Sequence, residues 1–105
     1  HDGTVSIYAA LACLPFIPDE TMALADYLYH NQPRTWGNFG FFDAYNLDVT
    51  PAWYSTSLYG IDKGCSMIMI ENYLSGLIWK IYTDSDLIQK SLGILEFTKK
   101  LEYNR

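Results

Sequence analysis

The segment Gly60-Ile61-Asp62-Lys63-Gly64 places a carboxylate at the start of an apolar helical pattern. Free backbone N–H groups at a helix N-terminus stabilise the ionised form of a carboxylate. Ionisation suits a base or nucleophile better than an acid, and the adjacent Lys63 should lower the pKa of Asp62 further. Asp62 is therefore the first candidate for a catalytic residue. The plain alternative is that it only caps the helix.

Three further polar residues stand among apolar or aromatic neighbours. Glu71 is embedded in the run 67–77, where a buried carboxyl group must be paired, hydrogen-bonded or neutral. It is an acid with a raised pKa, a ligand for sugar hydroxyls, or a structural anchor that ties the preceding loop. Asp43 and Asn46 lie between aromatic rings in the segment 41–46. Rings combined with carboxylate or amide groups suit a sugar, which presents both C–H faces and hydroxyls.

The segment 34–60 is rich in aromatic residues and has no sustained hydrophobic period. Its rings argue against disorder, so we interpret it as an ordered functional loop, with short strand pieces near 53–56. Trp36, Trp53 and Tyr54 are the rings that we expect to stack on sugars. The alternative is that these rings form the loop's own core, as most aromatic side chains do.

Four helices are expected to position these residues. Two of them, 4–14 and 62–81, are apolar on nearly every side, which is typical of buried helices. The others start at Pro18 and near 83–86, and the last one has an apolar face that extends to Leu101. Gly76 lies inside the third helix, where close packing would explain a missing Cβ. The alternation of inner and outer helices predicts an all-α fold with one long aromatic-rich loop, as in a piece of an α/α toroid.

The composition indicates a chain with many apolar residues that could form a core and few charged residues for its surface. Half of its 105 residues are hydrophobic and 18% are charged, below the typical share of about 25%. We therefore expect part of its surface to meet other protein. The net charge of −5 and the absence of a basic run argue against a nucleic-acid partner. No apolar stretch reaches the roughly 20 residues of a membrane span.

The sequence offers no motif for a metal or a cofactor, and we expect none. Cys13 and Cys65 are the only cysteines, and both are expected to be buried thiols. The chain starts at His1 without Met or a signal peptide and runs at once into an apolar pattern. We therefore expect it to be part of a longer protein. Its expected partners are the missing N-terminal part and, for the fragment alone, a second copy.

Six short motifs follow one another along the chain. They are Asp2-Gly3-Thr4, Pro15-Phe16-Ile17-Pro18, Gly40-Phe41-Phe42-Asp43-Ala44-Tyr45-Asn46, Gly60-Ile61-Asp62-Lys63-Gly64-Cys65, Met69-Ile70-Glu71-Asn72-Tyr73 and Gly76-Leu77-Ile78-Trp79-Lys80. Through them the chain resembles, up to Phe97, the glucoamylase-like family of bacterial β-1,2-glucan-active enzymes. This family includes β-1,2-glucanases and a domain of cyclic β-1,2-glucan synthases. The chain departs from the family pattern at Lys63 (Gln in the family), Cys65 (Pro) and Leu74 (often Arg).

The resemblance implies an α/α toroid several times longer than this chain, with residues 1–105 as its C-terminal part. It also implies that Asp62 lines the active site of a glycoside hydrolase that acts on β-glucan. We expect this glucan to be β-1,2-linked and the general acid to lie upstream of this chain. Asp2, Asp43 and Asn46 would then bind sugar hydroxyls. The fragment alone is expected to be inactive.

Two other functions stay open at this stage. One is a transglycosylase module of a cyclic glucan synthase, which would transfer a glycosyl group to another sugar in the same site. The other is a non-catalytic module that binds glucan or acts as a scaffold. The family implies a periplasmic or extracellular location, or a cytoplasmic one for a synthase.

Overall fold

The computed structural model of the chain describes residues 1–97. Its elements follow in the order β1 (Val5–Ser6), α1 (Ile7–Leu11), α2 (Pro18–Asn31), β2 (Trp36–Gly37), β3 (Gly40–Phe41), β4 (Ala44–Asn46), β5 (Trp53–Tyr54), α3 (Gly60–Leu74), α4 (Leu77–Asp84) and α5 (Asp86–Ile94). The described part is mainly helical but also contains strands. The all-α prediction is therefore wrong in this respect, because the aromatic segment forms small sheets.

The strands form two antiparallel arrangements. In the first, β4 lies between β1 and β5, with Val5 opposite Tyr45 and Tyr45 opposite Tyr54. In the second, β2 and β3 form a hairpin in which Trp36 pairs with Phe41. The strand predicted near 53–56 is confirmed as β5. The helix predicted from residue 4 starts only at Ile7, because Val5 and Ser6 pair with Tyr45 and Ala44 of β4. These partners are 40 and 38 residues further along the chain, a distance that a local hydrophobic period does not reveal.

A small core lies where the three-stranded sheet meets α1 and α2. Ile7, Leu28 and Tyr45 are its buried centre, and Leu11 and Phe41 are among the residues that pack around it. This core fixes the first helix and the sheet against each other. It is also where residues from the beginning and the middle of the chain come together.

The third predicted helix is broken into α3 and α4 at Gly76. Gly76 has φ 70°, a left-handed conformation that glycine adopts without a steric cost. A Cβ built there would meet no atom within 4 Å, so the prediction of close packing is wrong. Asn72 stabilises the break, because its Oδ1 accepts a hydrogen bond from the backbone N–H of Trp79 at 2.9 Å. That N–H lies in the first turn of α4 and has no partner within the helix.

Much of the helical apolar surface is not covered by the described chain. Met67 and Leu74 of α3 are 69% and 72% exposed, and Cys65 is exposed, so the predictions of a buried helix and a buried thiol are wrong here. The radius of gyration is 17.4 Å, against about 13 Å expected for a compact domain of about 100 residues. The described helices therefore extend away from the core instead of closing around it.

The last predicted helix is present as α5, preceded by Ser85 at its N-cap. Leu101, which was expected on its apolar face, lies outside the described residues. No helix within residues 1–97 combines the length and the hydropathy that crossing a membrane requires.

The conformation of Gly76 leads to a stability prediction with a matched control. Gly76→Ala should lower the free energy of unfolding by about 1 kcal/mol, because alanine is strained at positive φ. Gly93→Ala, inside α5 and at ordinary φ, should leave it unchanged or raise it by about 0.5–1 kcal/mol. Denaturant unfolding of the protein that carries this chain measures both values. Equal effects of the two substitutions would contradict the assigned break.

Candidate functional site

Asp62 and Asp43 line one small cavity beside the core. Asp62 lies in the first turn of α3, and Asp43 lies in the turn between β3 and β4. The cavity has a volume of about 60 Å³ and is lined by Tyr8, Leu11, Phe41, Phe42, Asp43, Leu58, Tyr59, Asp62, Lys63 and Ser66. Ligand sites usually measure about 300–1,000 Å³, so this cavity is too small to be a whole ligand site.

The backbone on both sides of Asp43 is fixed by hydrogen bonds. Its N–H donates to the Ser57 carbonyl at 3.2 Å, and its carbonyl accepts from the Ile7 N–H at 3.0 Å. The preceding N–H, of Phe42, donates to the Thr35 carbonyl at 2.8 Å. The Asp43 side chain therefore projects from a rigid turn, which suits a residue that must hold a set position.

Lys63 joins this turn to α3. Its Nζ donates a hydrogen bond to the carbonyl of Phe41, so the ammonium lies between the hairpin and the helix that carries Asp62. Burial lowers the pKa of Lys63, and the neighbouring Asp62 carboxylate opposes this shift. Lys63 thus adds one positive charge beside the two carboxyl groups.

The pKa of Asp62 is raised, which makes the predicted lowering wrong. The first cause is desolvation, followed by a hydrogen bond with the Asp43 side chain and the negative charge of that residue. Lys63 acts in the predicted direction but is outweighed. The sequence could not reveal this shift, because Asp43 reaches Asp62 only through the fold. Tyr59, and not Asp62, occupies the N-cap position of α3.

Asp2 and Asn46 contact each other, but neither residue lines the cavity. Asn46 Nδ2 donates to the Asp2 carbonyl at 3.0 Å and to Thr4 Oγ1 at 3.2 Å, and its Oδ1 accepts from the Asp48 N–H at 2.8 Å. The Asp2 carboxylate accepts a hydrogen bond from the Thr4 N–H at 2.9 Å, and this bond lowers the pKa of Asp2. Asn46 thus pins the start of the chain to β4. Sugar binding by these two residues stays a prediction.

None of the three candidate rings belongs to the lining of the cavity. Trp36 is 45% exposed and stands edge-on to Phe41, at a centroid distance of 4.7 Å. Trp53 is 46% exposed on β5. The Tyr54 ring carries the Arg34 guanidinium 4.4 Å from its centroid, and its hydroxyl donates to Gln32. One face of Tyr54 is therefore already occupied, whereas the tryptophans retain exposed surface. Stacking on sugar stays a prediction for all three.

Glu71 lies more than two turns beyond Asp62 on α3 and does not line the cavity. Its Oε1 accepts a hydrogen bond from the Ser75 hydroxyl at 2.7 Å, within the same helix end. This contact explains how a half-buried carboxyl group is satisfied without reaching the aromatic loop. A role in binding substrate stays a prediction.

Sequence reasoning missed three polar residues of the cavity wall. Ser66 stands one turn after Asp62 on α3, and its hydroxyl donates to the Tyr8 carbonyl at 3.1 Å, tying α3 to α1. The i, i+4 spacing from Asp62 could have indicated Ser66. Tyr8 and Tyr59 gave no such signal, because they are part of apolar runs. Within residues 1–97, no group of three or more His, Cys, Asp or Glu residues is arranged to hold a metal.

Residues 1–86 match the family model described as "Putative glucoamylase". The chain belongs to this glucoamylase family. Its fold is similar to the crystal structure titled as a putative glucoamylase from Bacteroides uniformis, with 39% identity, a TM-score of 0.86 and coverage of 95% of this chain. The endo-β-1,2-glucanase of Chitinophaga pinensis gives 33% identity, a TM-score of 0.81 and 92% coverage.

A further member of comparable similarity is an exo β-1,2-glucooligosaccharide sophorohydrolase of Parabacteroides distasonis, 34% identical over 99 residues that make up 93% of this chain. The chain spans only 14% of that relative, 24% of the Bacteroides uniformis chain and 23% of the Chitinophaga pinensis chain. It therefore corresponds to about a quarter or less of these family members.

The charge of Lys63 leads to a prediction about Asp62. Lys63→Gln should raise the pKa of Asp62 further, because it removes the positive charge that stabilises the Asp62 carboxylate. Lys63→Arg retains that charge and should leave the pKa close to its present value. Infrared titration of the carboxyl groups, taken as the difference from the same variant carrying Asp62→Asn, measures it. A lower Asp62 pKa in Lys63→Gln would contradict this electrostatic account.

Proposed function

We propose that this chain is the C-terminal part of one α/α-toroid catalytic domain, which hydrolyses β-1,2-linked glucan. The observation that carries the proposal is that Asp62 and Asp43 line one cavity together with aromatic side chains. The proposal is supported by relatives named for β-1,2-glucan and its oligosaccharides, at 33–34% identity over nearly the whole chain. The substrate is accordingly an oligo- or polysaccharide, and the reaction uses carboxyl groups of the protein.

Asp62 is the proposed second carboxylate of the reaction. Glycoside hydrolysis typically uses a general acid together with a base or nucleophile, placed about 5–9.5 Å apart on either side of the scissile bond. Asp43 lines the same cavity of about 60 Å³ as Asp62, which leaves no room for a sugar between the two carboxyl groups. The general acid therefore comes from the part of the protein outside this chain. Asp62 activates water or stabilises the oxocarbenium-like transition state.

A raised pKa is compatible with this role. A general base is most effective when its pKa approaches the pH at which the enzyme works, because a more basic carboxylate takes a proton more readily. Desolvation raises the pKa of Asp62 in that direction, and the neighbouring Asp43 adds to the shift. The helix start positions the group, and the pair with Asp43 adjusts its basicity.

The fragment alone is proposed to be inactive. Its cavity measures about 60 Å³, and apolar residues of α3 such as Met67 and Leu74 face outward. Packing of the rest of the toroid against these side chains would remove them from water and supply the opposite wall of the sugar site. The missing N-terminal part is thus the proposed partner. Self-association of the isolated fragment would bury the same apolar surface with less specificity.

Counting reducing ends separates this proposal from the two alternatives. Hydrolysis of a linear β-1,2-glucan by the longer protein creates one new reducing end for each bond cleaved. A transglycosylase rearranges chain lengths without increasing that number. A binding module retains affinity for the glucan and produces no change.

Asp62→Asn in the longer protein should reduce kcat for β-1,2-glucan by about 10³-fold, within the range of general acid–base catalysis. Asp19→Asn, an exposed change of the same type at the start of α2, should leave kcat unchanged. Full activity of Asp62→Asn would remove Asp62 from the catalytic machinery.

The same substitution should not destabilise the fold. A carboxyl group whose pKa is raised by folding favours the folded state at low pH and loses that contribution as pH rises through its folded pKa. Asp62→Asn removes this loss. The variant should therefore gain stability relative to the wild type as pH increases from acidic to neutral, which thermal unfolding at several pH values measures. A gain that is largest at acidic pH would contradict the raised pKa.

A further inference from the structure

The β2–β3 hairpin is fixed within itself by pairing and packing. Trp36 pairs with Phe41 across the hairpin, and the Phe42 N–H donates to the Thr35 carbonyl at 2.8 Å at its open end. A Cβ built at Gly37 would lie 2.6 Å from Cζ of Phe42, so this strand packs directly on the Phe42 ring. A displacement of Phe41 would therefore displace Trp36 as well.

Lys63 connects this hairpin to α3. Its backbone N–H donates to the Tyr59 carbonyl at 3.2 Å, which fixes the residue in the first turn of the helix. Its Nζ donates to the Phe41 carbonyl and lies 3.4 Å from the position that a Cβ of Gly40 would take. The ammonium thus lies against β3 at two consecutive residues.

The Trp36 ring borders the same open position at Gly40. Its Cη2 and Cζ3 atoms lie 3.9 Å from that Cβ position, so the ring edge and the Lys63 ammonium are neighbours across it. Two other rings contact Trp36 edge-on, Phe41 at 4.7 Å and Tyr29 at 5.2 Å between ring centroids. Trp36 is nevertheless 45% exposed. An exposed ring that its neighbours hold in place presents a fixed apolar surface, which suits the C–H face of a sugar.

We propose that Lys63 is a positioning residue that fixes the Trp36 ring beside Asp62, so that the ring binds a sugar unit next to the bond on which Asp62 acts. Asp62 and Lys63 are consecutive residues in the first turn of α3, and both line the cavity. The sugar-binding part of this inference rests on the proposed function, whereas the link from Lys63 to Trp36 does not.

The surroundings of the ammonium favour this indirect role over direct contact with the sugar. The cavity that Lys63 lines has a volume of about 60 Å³, too small for a whole ligand site, and Trp36 lies outside its lining. The Lys63 ammonium is partly buried and already donates to a carbonyl. A charge-assisted hydrogen bond in such surroundings is stronger than one in water, so it is able to hold the hairpin against the helix.

Three substitutions of lysine separate this link from other effects. Lys63→Met retains an apolar stem of similar length but loses the donor and the charge, so the hairpin is no longer bound to α3 through this residue. Lys63→Arg retains a donor and the charge and should keep the wild-type behaviour. Lys90→Met is the same change at an exposed position of α5 and serves as the control. Lys63→Gln, which also removes the charge, replaces Lys63→Met if that variant fails to fold.

The first arm of the test needs no substrate. The longer protein is labelled with fluorotryptophan, and the fluorine NMR signals of Trp36 and Trp53 are assigned by their loss in Trp36→Phe and Trp53→Phe. Lys63→Met should shift and broaden the Trp36 signal, because the ring no longer has one fixed position. The Trp53 signal should stay in place. An unchanged linewidth of Trp36 in Lys63→Met would overturn the proposal.

The second arm measures the affinity for a β-1,2-linked glucooligosaccharide by calorimetry, in the Asp62→Asn background. This background prevents turnover and removes the effect of the Lys63 charge on the Asp62 carboxylate. Lys63→Met and Trp36→Ala should each weaken binding about 10-fold, and the double variant should bind about as weakly as Trp36→Ala alone. Lys63→Arg and Lys90→Met should leave the affinity unchanged. If the two single losses multiply in the double variant, Lys63 acts independently of Trp36 and the proposal is overturned.

The two arms separate the inference from the proposed function. If the longer protein neither binds nor cleaves β-1,2-glucan, the proposed function fails, and the fluorine spectra still decide whether Lys63 positions Trp36. If the protein is active while Lys63→Met changes neither the Trp36 signal nor the affinity, the proposed function stands and the inference is overturned.

Discussion

The placement of two carboxyl groups, those of Asp43 and Asp62, in one small cavity is the constraint on which the site depends. Two like charges lie close together only when the fold holds their backbones in place and their mutual repulsion is weakened. The fold supplies the first condition through the sheet beneath Asp43 and the packing of α1 against α3. Lys63 moderates the second by adding a positive charge at the same place. The energetic cost of such a pair is typical of functional sites.

The exposed apolar surface of α3, the helix that carries Asp62, also needs an explanation. A chain of this size has a core centred on Ile7, Leu28 and Tyr45, while Met67 and Leu74 remain in contact with water. Family members several times longer contain the corresponding segment, and this chain spans 24% of one of them. In our proposal, the described residues form one wall of a larger structure, in which other segments complete a cleft over the two carboxyl groups.

The sequence predicted the local elements and the family better than the contacts. The start of α2 at Pro18 and the position of Asp62 in the first turn of α3 follow from local chemistry. The pairing of Val5 with Tyr45 and the proximity of Asp43 to Asp62 do not, because each joins residues that are distant along the chain. For this reason a helix was predicted where β1 lies, and a lowered pKa was predicted where the structure raises it. The sequence predicted close packing at Gly76, because a left-handed φ cannot be recognised from the sequence except by the glycine itself.

The most direct test of the central claim is a crystal structure of the longer protein carrying Asp62→Asn, with a β-1,2-linked glucooligosaccharide bound. The account predicts that a glycosidic linkage lies over the cavity, with residue 62 within hydrogen-bond reach of the reacting carbon's water or ring and Asp43 behind it. An oligosaccharide bound with its linkages remote from residue 62 would contradict the account.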